Sequence, residues 1–229
     1  MTSLNLHYTY ISLFGFKLFE PVTILTNSII TIYCLFVYFR TQQFNHQISR
    51  HWGIFFLLMA VSSMLASLTH GIHDQLGEAF LRNSWILMNS VSLIGIYFFY
   101  RATFIYSNLN KEHTSQLFNY AAFVWMISLL VATYFLNNFL LIKIHAGIVL
   151  FYSLIVHLIT FKNSQAGSGH IVAGIIISFL SIFVHSFKLS FGEWFNYKDI
   201  SHVIVLTSMV FLFKGVKTKI SPQLLARSN

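Results

Sequence analysis

The chain has 229 residues, of which 56% are hydrophobic and only 9% charged. Soluble domains carry about 25% charged residues, so most of this surface must face something other than water. The net charge of +8 does not call for nucleic acid, because the cations are spread through short segments and no basic domain collects them.

Inside a bilayer each backbone polar group has to be satisfied within the protein, which leaves helices or a closed barrel. Barrel strands alternate apolar and polar residues. The runs 52–69 and 171–187 show no such alternation, so the expected class is all-α, a polytopic integral membrane protein. In chain order the spans are predicted at 19–39, 52–71, 83–100, 118–136, 139–161, 171–190 and 195–213. Each is about 18 to 23 residues long, the length a hydrocarbon core requires. Spans four and five are separated only by Asn137 and Asn138; without that turn they would merge into a helix too long for a bilayer. Residues 162–169, with Gly167 and Gly169, read as a polar loop between spans five and six. Neither repeat nor linker is visible, so residues 1–229 are expected to form a single seven-helix domain.

Lysine and arginine in the short loops set the orientation. Arg40, Arg50, Arg101, Lys111, Lys162, Lys214, Lys217, Lys219 and Arg227 fall on one side; Lys17, Arg82, Lys143, Lys188 and Lys198 fall on the other. The bias places the C-terminus in the cytoplasm and the N-terminus outside. No cleavable signal is expected, since no basic residue precedes Lys17 and an acid, Glu20, opens the first span. Cys34, the only cysteine, lies within that span and reads as a small buried apolar residue.

The acids are segregated. Glu20, Asp74, Glu78, Glu193 and Asp199 are on the outer side, and only Glu112 is inside. Near the outer side His70 ends span two, His145 opens span five, His185 lies in the last turns of span six, and His202 is two turns into span seven. Antiparallel helices bring these rings to a similar level, with Glu20, Asn27 and Asn89 in the same layer. Helical spacing puts Ser67, His70 and Asp74 on one stripe, and Asn196, Asp199 and His202 on another. A carboxylate one turn from a histidine can accept its ring N–H, the support a metal-ligating imidazole commonly has.

Ionisable groups at membrane depth mark functional sites by default, although a single histidine at a helix end also serves as an interfacial anchor. The reading with most chemical content is a zinc site formed by His70, His185 and His202, with His145 as a substitute ligand. Three imidazoles leave a fourth position for water, whose pKa the ion lowers to about 7. Asp199 would act as orienter or general base, and Ser67 would stabilise a developing oxyanion. The substrate would be a lipid amide or ester entering sideways from the membrane.

The Ser67/His70 pair ending span two and His202 opening span seven resemble the CREST superfamily of seven-helix membrane hydrolases, which includes alkaline ceramidases and the progestin and adiponectin receptor group. Glu20 and Asn27 are similar to the polar start of helix one in alkaline ceramidases. The resemblance implies a zinc held by one histidine of helix two and two of helix seven, assisted by a serine and an aspartate. The chain departs from that pattern. It has Ser67-x-x-His70 where the family has Ser-x-x-x-His, and Ala66 stands at the serine position. Lys198 and Leu206 occupy the positions four away from His202, where a second histidine is expected, and span three has no aspartate. The Phe-Asn-x-x-Asp-x-x-His segment also resembles a group of small bacterial multi-span proteins, so a bacterial inner membrane is the expected location.

Two other classes compete. Paired histidines from among His70, His145, His157, His185 and His202 could ligate a b-type haem. A non-enzymatic sensor, transporter or scaffold would use the outer polar layer to bind without chemistry. The only prolines, Pro21 and Pro222, break no span, whereas transporters favour discontinuous helices. A retinal protein is set aside because the middle of span seven is Val205-Leu206-Thr207, with no lysine.

Overall fold

A computed structural model describes residues 9–44, 46–75, 77–107 and 113–225. Glu112, the one inner-side acid, lies outside these residues, as do Lys111 and Arg227. The seven expected helices are present: α1 (Pro21–Gln42), α2 (Gln47–Gly71), α3 (Glu78–Tyr106), α4 (His113–Leu136), α5 (Leu140–Lys162), α6 (Ser168–Phe187) and α7 (Tyr197–Leu225). Six are long and apolar enough to cross a membrane, the signature of an integral membrane protein. The exception is α3, long enough at 29 residues but diluted by Asn83, Ser84, Asn89, Ser90 and Ser92.

Hydropathy found the apolar middles of the helices and missed their polar ends. The first helix starts at Pro21 rather than at residue 19, α2 and α3 begin about a turn earlier than expected, and α7 continues past residue 213 to Leu225. The asparagine turn is as read. Asn137 takes a left-handed conformation (φ 43°), and Asn138 Oδ1 accepts the Leu140 N–H at 2.9 Å, starting α5. Asparagine tolerates that backbone better than most side chains.

A two-stranded hairpin, β1 (Tyr10–Leu13) and β2 (Phe16–Phe19), precedes α1 and was not foreseen. Its two-residue turn has positive φ at both Phe14 (52°) and Gly15 (85°), the geometry that matches the twist of paired strands. Phenylalanine hid this signal, since asparagine or aspartate is usual there.

Helices α1, α2, α3, α5, α6 and α7 form a closed ring in which each packs on the next and α7 returns to α1; α4 stands outside against α3. The main core draws its buried residues from those six helices. The ring is filled unevenly. Toward the C-terminal end of α7 the interior holds large side chains, including Trp52, Phe55, Phe56, Phe99, Tyr106 and Ile171. Toward the hairpin end the inward positions hold Ser62, Ser63, Ala66, Ser92, Ser181 and Ser201. Small residues cannot fill the space that aromatic rings fill lower down, and a cavity remains there. The α6–α7 pair is especially close: a Cβ at Gly174 would meet Leu212 at 2.9 Å, and one at Gly215 would meet Gly167 O at 2.7 Å. Ser208 Oγ donates to Gly174 O at 2.8 Å across this contact.

Candidate functional site

The cavity at the hairpin end has a volume of about 460 Å³, within the usual range for small-molecule sites. Its wall comes from α1, α2, α3, α6 and α7, with Phe139 from the start of α5. All three expected zinc ligands, His70, His185 and His202, line it. Antiparallel packing therefore brings together residues read only as lying at similar depth. His145 does not line it and is buried, 2% exposed.

Glu20 organises the mouth. Its backbone is left-handed (φ 43°, ψ 56°), a conformation that costs a non-glycine residue of order 1–3 kcal/mol. The following Pro21 disfavours helical backbone at this position as well. The conformation is held by Glu20 N donating to Thr9 O at 2.8 Å and Ile24 N donating to Glu20 O at 3.0 Å. The carboxylate is buried, 5% exposed. Oε2 accepts from His70 Nδ1, and Oε1 accepts from Lys198 Nζ at 2.5 Å. Burial pushes the Glu20 carboxyl up, but the hydrogen bond and charge of His70, with Lys198, outweigh it and hold the group at about 2. His70 also meets Trp85 edge-on, their rings 5.1 Å apart.

The partner of His202 differs from the expectation. Thr26 Oγ1, not Asp199, lies 2.9 Å from His202 Nδ1. The same hydroxyl is 3.1 Å from Thr23 O, which can only accept. Both contacts are hydrogen bonds at once only if His202 Nδ1–H donates to Thr26, which makes Nε2 the basic nitrogen of His202. The bond from Glu20 imposes the same tautomer on His70.

Asp199 is fully buried but does not line the cavity. It accepts Thr23 Oγ1 at 2.7 Å and Asn196 N at 2.9 Å, while Asn196 Oδ1 accepts Lys198 N at 2.9 Å. This is a reciprocal cap at the start of α7, with a tie to α1. The stripe Asn196-x-x-Asp199 is thus a helix-start signal, and the pattern was available in the sequence. Ser67 is likewise used structurally, donating to Ile24 O at 3.2 Å and meeting Ser28 Oγ at 3.2 Å between α1 and α2. It does not line the cavity either, and Asp74 is exposed in a short 3-10 turn beyond α2. Asn27 reaches the cavity; Asn89 does not.

The zinc expectation needs three donors at one point. Among the described residues no three His, Cys, Asp or Glu side chains gather closely enough to hold a metal ion. His185 is instead set between aromatic rings, 5.3 Å from Phe139 and 5.1 Å from Tyr197. As placed, the residues do not fit a three-ligand ion. Lys198, which stands where the resemblance would put a histidine, has its ammonium on Glu20.

Sequence reasoning put Glu20 in the polar layer without giving it a role, and it missed Lys198 as a site residue. The signals were an acid directly before a proline that opens an apolar helix, and a lysine one turn ahead of His202 on the same face. No curated protein matches the chain. Residues 22–221 match a family of unknown function, DUF6962, and the chain belongs to that family.

Proposed function

We propose that the protein is an intramembrane hydrolase that takes an amphipathic molecule into this cavity and cleaves an amide or ester bond near its mouth. The observation that carries the reading is Glu20: a buried carboxylate on a strained backbone, clamped to His70 and Lys198 within a cavity that His185 and His202 also line. Strain of this kind persists where surrounding structure holds it, and it clusters at functional sites. The lysine and arginine bias supports a hairpin end facing outward and a C-terminus in the cytoplasm.

Glu20 keeps the Nδ1–H of His70 in place, so when the imidazole is neutral His70 Nε2 is the base. It removes a proton from water as the water oxygen bonds to the acyl carbon. The carbonyl electrons move to oxygen, where the Lys198 ammonium offsets the developing charge. When the carbon–nitrogen or carbon–oxygen bond breaks, His70 returns the proton to the leaving amine or alcohol. No step passes through a metal. His202, oriented by Thr26, offers a second imidazole on the α7 wall.

The test is turnover by the purified chain in lipid nanodiscs, across a panel of fluorogenic lipid amides and esters. General-base catalysis contributes about 10²–10⁴-fold, so His70→Ala is expected to lose at least about 100-fold. Binding of the panel with no turnover of any member would replace this reading with a non-enzymatic ligand-binding protein.

A further inference from the structure

Carboxylate and lysine cancel on the wall of the cavity. Among the described residues that line it, Glu20 is the only acid and Lys198 the only lysine or arginine, and the two pair at 2.5 Å. Hydroxyl groups make up much of the remaining polar lining, and their protons are already used. The Thr69 hydroxyl donates to Leu65 O at 2.7 Å, Ser201 to Tyr197 O at 2.7 Å and Ser181 to Ser201 O at 3.3 Å. Ser92 donates to Met88 O at 3.1 Å, so the Ser62 proton fills the 2.6 Å contact between Ser62 and Ser92. A hydroxyl carries one proton and two lone pairs. These side chains therefore meet a ligand as acceptors.

Asn27 and His202 add two more acceptors at one level. Asn27 lies seven residues beyond Glu20, and Ser63 seven before His70, so each is about 10 Å deeper at the helical rise. Bonds from Thr31 Oγ1 to Ala60 O at 3.4 Å and from Ser67 Oγ to Ile24 O at 3.2 Å hold α1 and α2 in that register. His202 joins them from α7 through its bond to Thr26, the residue before Asn27. Asn27 is 2% exposed and lines the cavity. Its Nδ2 donates to Thr23 O at 3.0 Å, and its Oδ1 accepts from no described residue. Neutral His202, with its proton on Nδ1, presents Nε2. Against these acceptors stand two donors, the Ser63 hydroxyl and the second Asn27 N–H.

We infer that Asn27 and His202 read a hydrogen-bond donor on an uncharged substrate, an amide N–H or a hydroxyl carried below the bond that is cleaved. This rests on the amphiphile reading above and adds the group that decides specificity. A site built to accept a proton rejects the analogue that lacks it, because its own polar atoms are then left dry and unpaired. A charged head gains no such match, since Glu20 and Lys198 are spent on each other. Ile30, Met59 and Val205 line the cavity beside this level and take the chain.

The experiment compares matched pairs by calorimetry on the full chain in detergent, with partition into empty micelles subtracted. The pairs are N-dodecylacetamide with its N-methyl derivative, and dodecanol with dodecyl methyl ether. In each, the member with the donor is expected to bind about 10-fold tighter. Asn27→Ala should narrow that gap by about 3- to 10-fold and change the donor-free member less than about 2-fold. Thr26→Val, which reaches the ligand only through His202, should narrow it by a smaller factor. Equal binding within both pairs, tighter binding of the donor-free members or no binding at all overturns the inference, and so does a gap unchanged in both variants. The unaltered protein decides the preference even where Asn27→Ala fails to fold. Donor-selective binding without turnover upholds the inference and removes only the hydrolase reading. Turnover without donor preference removes the inference alone.

Discussion

Glu20 and His70 are 50 positions apart in the chain, and a direct hydrogen bond joins them at the mouth of the cavity. The same carboxylate holds Lys198, 178 positions away, so one acid ties the first, second and seventh helices together. Removing the carboxylate takes the Glu20 charge away from both His70 and Lys198 in a largely buried place. Glu20→Gln is expected to destabilise the protein by about 3 kcal/mol, the scale of a broken buried ion pair, read as a lowered thermal midpoint in detergent.

Acid should act through the same group. The Glu20 carboxyl titrates at about 2 in the folded protein, against an ordinary value of 4.5. A depressed carboxylate pKa stabilises the fold above the unfolded value, and that stabilisation is lost as pH falls through the folded one. Thermal midpoints measured from pH 6 downward should fall between pH 4.5 and 2, and in Glu20→Gln this part of the decline should disappear.

Thr26 orients His202 without lining the cavity. Thr26→Val keeps the shape and removes the acceptor. It should cost about 1 kcal/mol of stability or less, while lowering turnover of a lipid amide or ester more than Thr26→Ser does.

Asp199 distinguishes a structural from a chemical role. Its bonds to Thr23 and Asn196 cap α7 and tie it to α1, so Asp199→Ala should lower stability by about 1–3 kcal/mol. Thr23→Val should lower it in part, through the same contact. A variant of Asp199 with wild-type stability and no turnover would restore the general-base role.

The helix pair α6–α7 depends on bare backbone. Gly174→Ala places a methyl 2.9 Å from Leu212, and Gly215→Ala places one 2.5 Å from Ile171 Cγ1. Each should cost about 1–3 kcal/mol by overpacking, measured by thermal unfolding, and the two should not add because they press on one interface.

Metal content separates the proposed mechanism from the zinc expectation. The purified protein should hold no stoichiometric zinc and should keep its turnover after chelation. One equivalent of zinc that is lost in both His70→Ala and His202→Ala would return the site to metal chemistry.

What could be read along the chain was local. Apolar runs marked seven helices, six of them long and apolar enough to cross a membrane, and Asn137-Asn138 marked the tight turn between α4 and α5. The depth of His70, His185 and His202 followed from counting residues to the helix ends, and all three do line one cavity. These properties depend on composition and on a fixed rise per residue.

Ring order and side-chain partners were settled by packing. The closing contact of α7 on α1 brought Lys198 to Glu20 and Thr26 to His202, and it gave Asp199 to Thr23. A residue's position on its own helix says which face it occupies. Which neighbouring helix that face meets, and at what height, is decided by how small and large side chains interlock across the bundle.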